Sequence, residues 1–272
     1  MRQWARRHLG KVVAGGALAV AGTALMVAVT LPGTAGAGET NDNGGAAASG
    51  TAAAGSAQRD AVPPEGVVED APEEGERGTG SDPLTDDELR RAEQIAMAGG
   101  LRASARDVEG DRGPQRLSTN LGEPDPSDAA GTNGHRRAEI VLYDYKSDAV
   151  ITRTVDLTTG KIEDSTTARG VQPPPSQGEL TEAARLLIGD RLGKDLKDDY
   201  RHATGKQLTD PGQLELSGMV FRKETVQRVP AALADCGTHR CLRIVAKVKK
   251  GPWIDTRAMV IDLSARTVGR LG

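Results

Sequence analysis

The eight residues Val155, Asp156, Leu157, Thr158, Thr159, Gly160, Lys161 and Ile162 return near the end of the chain as Ile261, Asp262, Leu263, Ser264, Ala265, Arg266, Thr267 and Val268. The offset, 262 − 156 = 106 residues, constrains the fold more than any other feature. Each copy has the pattern of a strand end, a tight turn and the start of the next strand, with β-branched residues flanking polar turn residues. Helix starts repeat as well. Thr85 and Glu88 stand three apart, as do Ser176 and Glu179, which is the capping-box spacing: the hydroxyl accepts from the third helical N–H and the carboxylate reaches back to the cap N–H. The caps are 176 − 85 = 91 residues apart, so a duplicated unit whose second copy is longer by 106 − 91 = 15 residues accounts for both offsets.

Leu89, Ala92, Ile95 and Ala96 share one face of the first helix, which Gly99 and Gly100 stop; Leu180, Ala183, Leu186 and Leu187 continue the second. Strands are expected near 101–108, 140–145, 150–157 and 162–167 in the first unit. The second unit should hold a further helical segment over 192–203 and strands near 214–222, 242–248, 257–263 and 267–271. The Gly-, Pro-, Asp- and Asn-rich stretch 109–136 reads as a mobile insertion between strands, because a structureless connection of that length is unusual inside a compact domain. The expected class is α+β: two units, 82–169 and 170–272, each one helix on a four-stranded antiparallel sheet. Aromatic residues make up only 2% of the chain, so both cores must be built from Val, Ile, Leu, Met and Ala.

Ahead of the units, Arg2, Arg6, Arg7 and Lys11 precede an uncharged, Ala-, Val- and Gly-rich stretch, 12–31, followed by Pro32 and the small residues Ala35, Gly36 and Ala37. This is the layout of an export signal spanning 1–37, cut after Ala37. An uncleaved anchor through 12–31 is the alternative, since about 20 apolar residues cross a bilayer. Both place the rest of the chain outside the cytoplasm. Residues 38–81 are small and polar, then acidic, and hold too little apolar surface to offset their ordering entropy, so a disordered acidic linker is expected there.

The formal net charge of −3 conceals a segregation. Residues 59–88 carry eleven acidic and two basic side chains, whereas 89–272 carry 29 basic and 25 acidic, a surplus of 29 − 25 = 4 spread over the whole length. Without aromatic residues interleaved among the cations, that surplus excludes a nucleic-acid footprint. Gly-x-Ser-x-Gly, phosphate-loop and dinucleotide motifs are absent from the sequence.

Tyr143-Asp144-Tyr145, the 155–162 turn and Gln172-Pro-Pro-Pro-Ser176 ahead of a Glu-containing helix resemble the two non-catalytic, cystatin-like domains (N2 and N3) at the N-terminus of copper amine oxidases. The Asp-Leu-x-x-Gly-Lys turn is also similar to that of PepSY domains. Ala5-Arg6-Arg7-His8-Leu9-Gly10-Lys11 resembles a twin-arginine signal, and the whole chain resembles exported twin-arginine proteins of actinomycete type. The resemblance covers roughly 82–272 and implies a helix wrapped by four strands, twice. It does not extend to oxidase chemistry. Tyr143, Tyr145 and Tyr200 follow Leu142, Asp144 and Asp199, not the Asn of a quinone-forming motif, and the sequence has no His-x-His.

Cys236-Gly-Thr-His-Arg-Cys241 is the most chemically suggestive stretch. In an exported chain, two cysteines bracketing a short loop read as a disulfide, worth about 2 kcal/mol in the chain-entropy model. The alternative is a metal site on Cys236, His239 and Cys241. Asp156 and Asp262, with Gly160 in the first turn, read as turn residues facing solvent, each carboxylate bonding turn N–H groups. His135 and His202, beside Arg136 and Arg201, read as surface histidines, and Trp253 as a core cover or an exposed contact. No catalytic residue and no cofactor is expected. The function expected is that of a non-catalytic binding or structural module for an extracellular or cell-surface protein. The alternatives are an inhibitor of extracellular peptidases and an accessory to copper or amine-oxidising chemistry.

Overall fold

Both helix starts form as local chemistry dictates. In the computed structural model, which describes residues 71–123 and 135–272, Thr85 caps α1 (Asp86–Ala96) and Ser176 caps α3 (Gln177–Gly189). Each hydroxyl accepts from the N–H of the glutamate three residues on, and each glutamate returns to the cap N–H: Thr85 N to Glu88 Oε2 is 2.9 Å and Ser176 N to Glu179 Oε2 is 2.8 Å. The export-signal residues Arg6, Arg7 and Ala37, the stretch 12–31 and most of the acidic linker lie outside the described residues. No helix among the described residues is long and apolar enough to cross a membrane.

After α1 the chain makes one short helical turn, α2 (Leu101–Ser104), and then four antiparallel strands in sequence order: β1 (Gln115–Leu121), β2 (Arg137–Asp144), β3 (Ala149–Asp156) and β4 (Lys161–Arg169). Two expectations are corrected here. The strand expected over 101–108 is instead α2 and a loop, and the first strand lies within the stretch expected to be an insertion; residues 124–134 of that stretch are outside the described residues. β1 escapes notice because it is an edge strand of mostly polar, half-exposed residues with no apolar alternation to announce it.

The second half adds α4 (Lys194–Thr204) after α3, then β5 (Leu214–Val220), β6 (Cys241–Val248), β7 (Trp253–Ile254), β8 (Met259–Asp262) and β9 (Thr267–Arg270). Its sheet has five strands rather than four, in the order β5-β6-β8-β9 with β7 also on β6. β7 and β8 pair with opposite ends of β6, at Lys247↔Trp253 and Leu242↔Ile261, so together they occupy the place β3 fills in the first sheet. The gap between them is bridged by the buried Thr256, whose hydroxyl donates to the Ile244 carbonyl at 2.6 Å.

Ala92, Ile95 and Ala96 of α1 pack on Ile140, Leu142, Ile151 and Val155, whereas Leu180, Ala183, Ala184 and Leu187 of α3 pack on Leu242, Ile244, Ala246 and Ile261. Val108 and Tyr145 from the first half join the second core, and all described residues belong to one compact unit, Ala52–Gly272. At the repeated turn, Gly160 takes φ +69°, which glycine adopts without penalty. Its counterpart Arg266 takes φ +55° despite its Cβ. The Arg266 guanidinium donates to the Val108 carbonyl at 2.7 Å, which ties this turn to the first half, and to Glu182 of α3 at 2.5 Å; these contacts offset the strain of about 1–2 kcal/mol.

Candidate functional site: a repeated clasp at two helix N-termini

The capping glutamates do a second job. Glu88 Oε1 and Oε2 accept from Arg136 Nε at 2.7 Å and Nη2 at 2.9 Å, and Glu179 accepts from Arg240 in the same bidentate manner at 2.7 and 3.0 Å. Each arginine then reaches the carbonyls of the chain entering its helix. Arg136 donates to Gly80, Asp82 and Pro83, and Arg240 to Pro173 and Pro174. Such planar, two-pronged pairing is what guanidinium supplies and ammonium does not.

The residue before each arginine is a histidine, and it meets the repeated aspartate. His135 Nδ1 lies 2.8 Å from Asp156 Oδ2, and His239 Nδ1 lies 2.9 Å from Asp262 Oδ2. The other oxygen of each aspartate serves its turn, accepting from Thr158 N and Thr159 N in one copy and from Ala265 N in the other. The backbone repeats too: the Arg136 carbonyl accepts from Leu157 N and the Arg240 carbonyl from Leu263 N, both at 2.9 Å. One set of roles, helix cap, glutamate, His-Arg pair and turn aspartate, is thus built twice.

Asp156 and Asp262 are bound as expected to turn N–H groups, but they are buried, each 2% exposed, not solvent-facing. Each carboxylate is enclosed between its hydrogen-bonded histidine and the turn N–H groups. His135, expected to stand alone on the surface, holds one of these pairs, while His202 lies on the exposed side of α4. Glu88 and Glu179 cap their helices as expected, but their ion pairs with Arg136 and Arg240 were not anticipated. Their sequence signal is the His-Arg dipeptide, which recurs at 240 − 136 = 104 residues, within two of the turn offset.

The two clasps differ in burial. Arg240 and Glu179 are both fully buried, and Tyr145 Oη adds a 2.6 Å bond to Glu179 while Arg240 lies 5.2 Å over the Tyr143 ring. Burial first, and the Glu179 charge second, push the Tyr145 hydroxyl far above its ordinary range, so it stays a donor. In the first copy, Arg136 retains 11% side-chain exposure. Burial alone raises the Glu88 carboxyl, but the Arg136 guanidinium and the Thr85 N–H outweigh it and hold the group below its usual range. Asp156 behaves likewise: burial opposes ionisation, and His135 with the Thr158 and Thr159 N–H groups overcomes it. The bond to Asp262 raises the His239 imidazole.

Cys236 and Cys241 form the expected disulfide, with Cα atoms 5.5 Å apart, and both are buried against Phe221, Leu233 and Val260. It closes the loop carrying His239 and Arg240 and so fixes where the second clasp begins. A histidine–aspartate pair is also half of a hydrolytic arrangement, the missing half being a nucleophile within hydrogen-bond reach. Among the described residues, no serine or threonine hydroxyl bonds either imidazole, and no cysteine is free. A separate groove of about 1590 Å³ lies between α4, the 226–231 segment and the last strand; none of the clasp residues lines it. No protein-family model matches the chain, and no curated protein matches it.

Proposed function

We propose that this chain is an exported, non-catalytic binding module: two tandem cystatin-like units, 82–169 and 170–272, behind an export signal and an acidic linker. The observation that carries the reading is the repetition of the clasp. An active site needs its groups once, and with capacity to spare for a substrate. Here the same four side chains recur in equivalent places, and each bidentate pair is spent on the helix end it holds. Helix-then-strands order in each half supports the cystatin-like assignment, as does the resemblance of the 139–190 stretch to the amine oxidase N-terminal domains. The surface left for a partner includes Trp253 on β7, 64% exposed with Lys247 Nζ 5.7 Å above its ring. Exposed aromatics with a neighbouring cation are common anchors at interfaces.

The test places a photo-crosslinking amino acid at position 253 in the chain expressed by its own cells. A discrete extracellular adduct, together with an unchanged adduct yield in His135→Ala and His239→Ala, is expected. Hydrolase or oxidase turnover by the purified protein that either histidine substitution abolishes while the fold survives would overturn the proposal.

A further inference from the structure

The second clasp differs from the first in one chemical respect: it has two sulfurs beside it. Cys241 stands opposite Asp262 in the sheet, where the first half has Arg137 opposite Asp156. The Sγ atoms of Cys236 and Cys241 and a carboxylate oxygen of Asp262 all lie within 4.8 Å of one another, and all three residues are buried. His239, on the loop between the cysteines, already points Nδ1 at the same carboxylate, 2.9 Å away. We infer that the dithiol form of this chain binds a zinc-class divalent cation through Cys236, Cys241, Asp262 and His239, and that oxidation to the disulfide releases it.

Two thiolates, one imidazole and one carboxylate are a ligand set that zinc accepts in tetrahedral geometry, and four residues between the cysteines fall within the spacing such pairs use. With zinc–nitrogen and zinc–oxygen bonds near 2.0–2.1 Å, the imidazole and carboxylate atoms sit roughly 3.3 Å apart, so the observed pair opens by only a few tenths of an ångström. The sulfur atoms must separate from bonding distance to about 3.8 Å, twice a 2.3 Å zinc–sulfur bond projected across the tetrahedral angle, and the imidazole, which stands outside the 4.8 Å cluster of the other three groups, must swing toward them. Gly237, at φ +102° directly after Cys236, gives the loop freedom to do so. Phe221, Leu233 and Val260 wall the cluster from water.

The redox balance is simple. Loading requires the disulfide to take up two electrons and two protons from a dithiol reductant; metal binding then displaces the thiol protons. Release reverses this, a disulfide oxidant taking the two electrons. Every exported chain is made in a compartment that keeps thiols reduced, so the loading form exists before oxidation.

The experiment uses the full chain, reduced and desalted under anaerobic conditions, titrated with cobalt(II) and then with zinc. The expected result is a thiolate-to-cobalt charge-transfer band with tetrahedral visible bands, saturating at a single equivalent and bleached by zinc. His239→Ala and Asp262→Asn each weaken binding by at least about tenfold, the least that losing even an outer-shell partner costs, Cys236→Ser with Cys241→Ser abolishes it, and His135→Ala leaves it unchanged. The oxidised chain shows no band. Absence of the band in a reduced chain whose circular dichroism is native overturns the inference. So does a band that survives loss of both cysteines, or a reduced chain that is unfolded and that zinc fails to refold.

Discussion

Arg240→Met should be among the most destabilising single substitutions in the second half. Glu179 is fully buried and accepts from Arg240 Nε and Nη2, Tyr145 Oη and Ser176 N. Methionine fills similar volume but leaves the carboxylate with no cation, only the Tyr145 and Ser176 hydroxyls and the cap N–H, and it strands the Pro173 and Pro174 carbonyls. Removing one partner of a buried, hydrogen-bonded ion pair costs about 3–5 kcal/mol. The matching Arg136→Met exposes Glu88 to water more readily, because that pair is 11% and 5% exposed at its side chains, and a loss of about 1.5–3 kcal/mol is expected. Adding Glu179→Gln to Arg240→Met removes the uncompensated charge and should restore roughly 1–3 kcal/mol as coupling energy. Urea unfolding of the oxidised protein, followed by far-ultraviolet circular dichroism, measures these three variants and the Glu179→Gln single that closes the cycle. A fall in midpoint at constant slope is expected. An Arg240→Met variant within about 1 kcal/mol of the unsubstituted protein, or an Arg136→Met variant more damaged than it, would refute a buried pair at Glu179.

Acid stability tests the first clasp. Folded Glu88 and Asp156 both titrate below their ordinary range, so their stabilisation is complete above the unfolded carboxylate values, about 3.9–4.3, and is lost as pH falls through the lower folded values. Unfolding midpoints measured from pH 6 downward should drop below about pH 4, and Asp156→Asn should flatten that drop; equal slopes would remove Asp156 from the account. Glycine substitutions separate close packing from propensity. A Cβ on Gly193 would sit 1.8 Å from the Leu187 carbonyl oxygen, so Gly193→Ala should lower stability by about 1–3 kcal/mol. Gly189, four residues earlier at the end of α3, meets nothing within 4 Å, and its change to Ala should be neutral or stabilise by about 0.5–1 kcal/mol. Thermal melts of the two variants give the comparison.

What the sequence disclosed was what is local. Thr85 with Glu88 and Ser176 with Glu179 disclose their helix starts because capping chemistry is complete within four residues. β2, β3 and β6 appear at their expected places because buried residues dominate them and flank turn signals. The disulfide was legible for the same reason, its loop being short. β1 was hidden by its polar edge, and the interruption between β7 and β8 by a side-chain bond, Thr256 to Ile244, that no propensity encodes. The clasp was hidden by distance. Glu88 and Arg136 are 48 residues apart, and Glu179 and Arg240 are 61 apart. Only the recurrence of His-Arg near the turn offset points to them, and it acquires meaning once β2 and β6 are laid against the helix ends.

Two arginines hold two helix N-termini by buried bidentate pairing. Nitrogen-15 NMR of the guanidinium groups measures this directly. Two Nε–H signals, assigned by Arg136→Lys and Arg240→Lys, should exchange slowly with water, Arg240 the slower, and should move when Glu88→Gln and Glu179→Gln are introduced in turn. Arg136 and Arg240 signals that exchange as fast as those of an exposed arginine such as Arg257, and that ignore both glutamate substitutions, would contradict it.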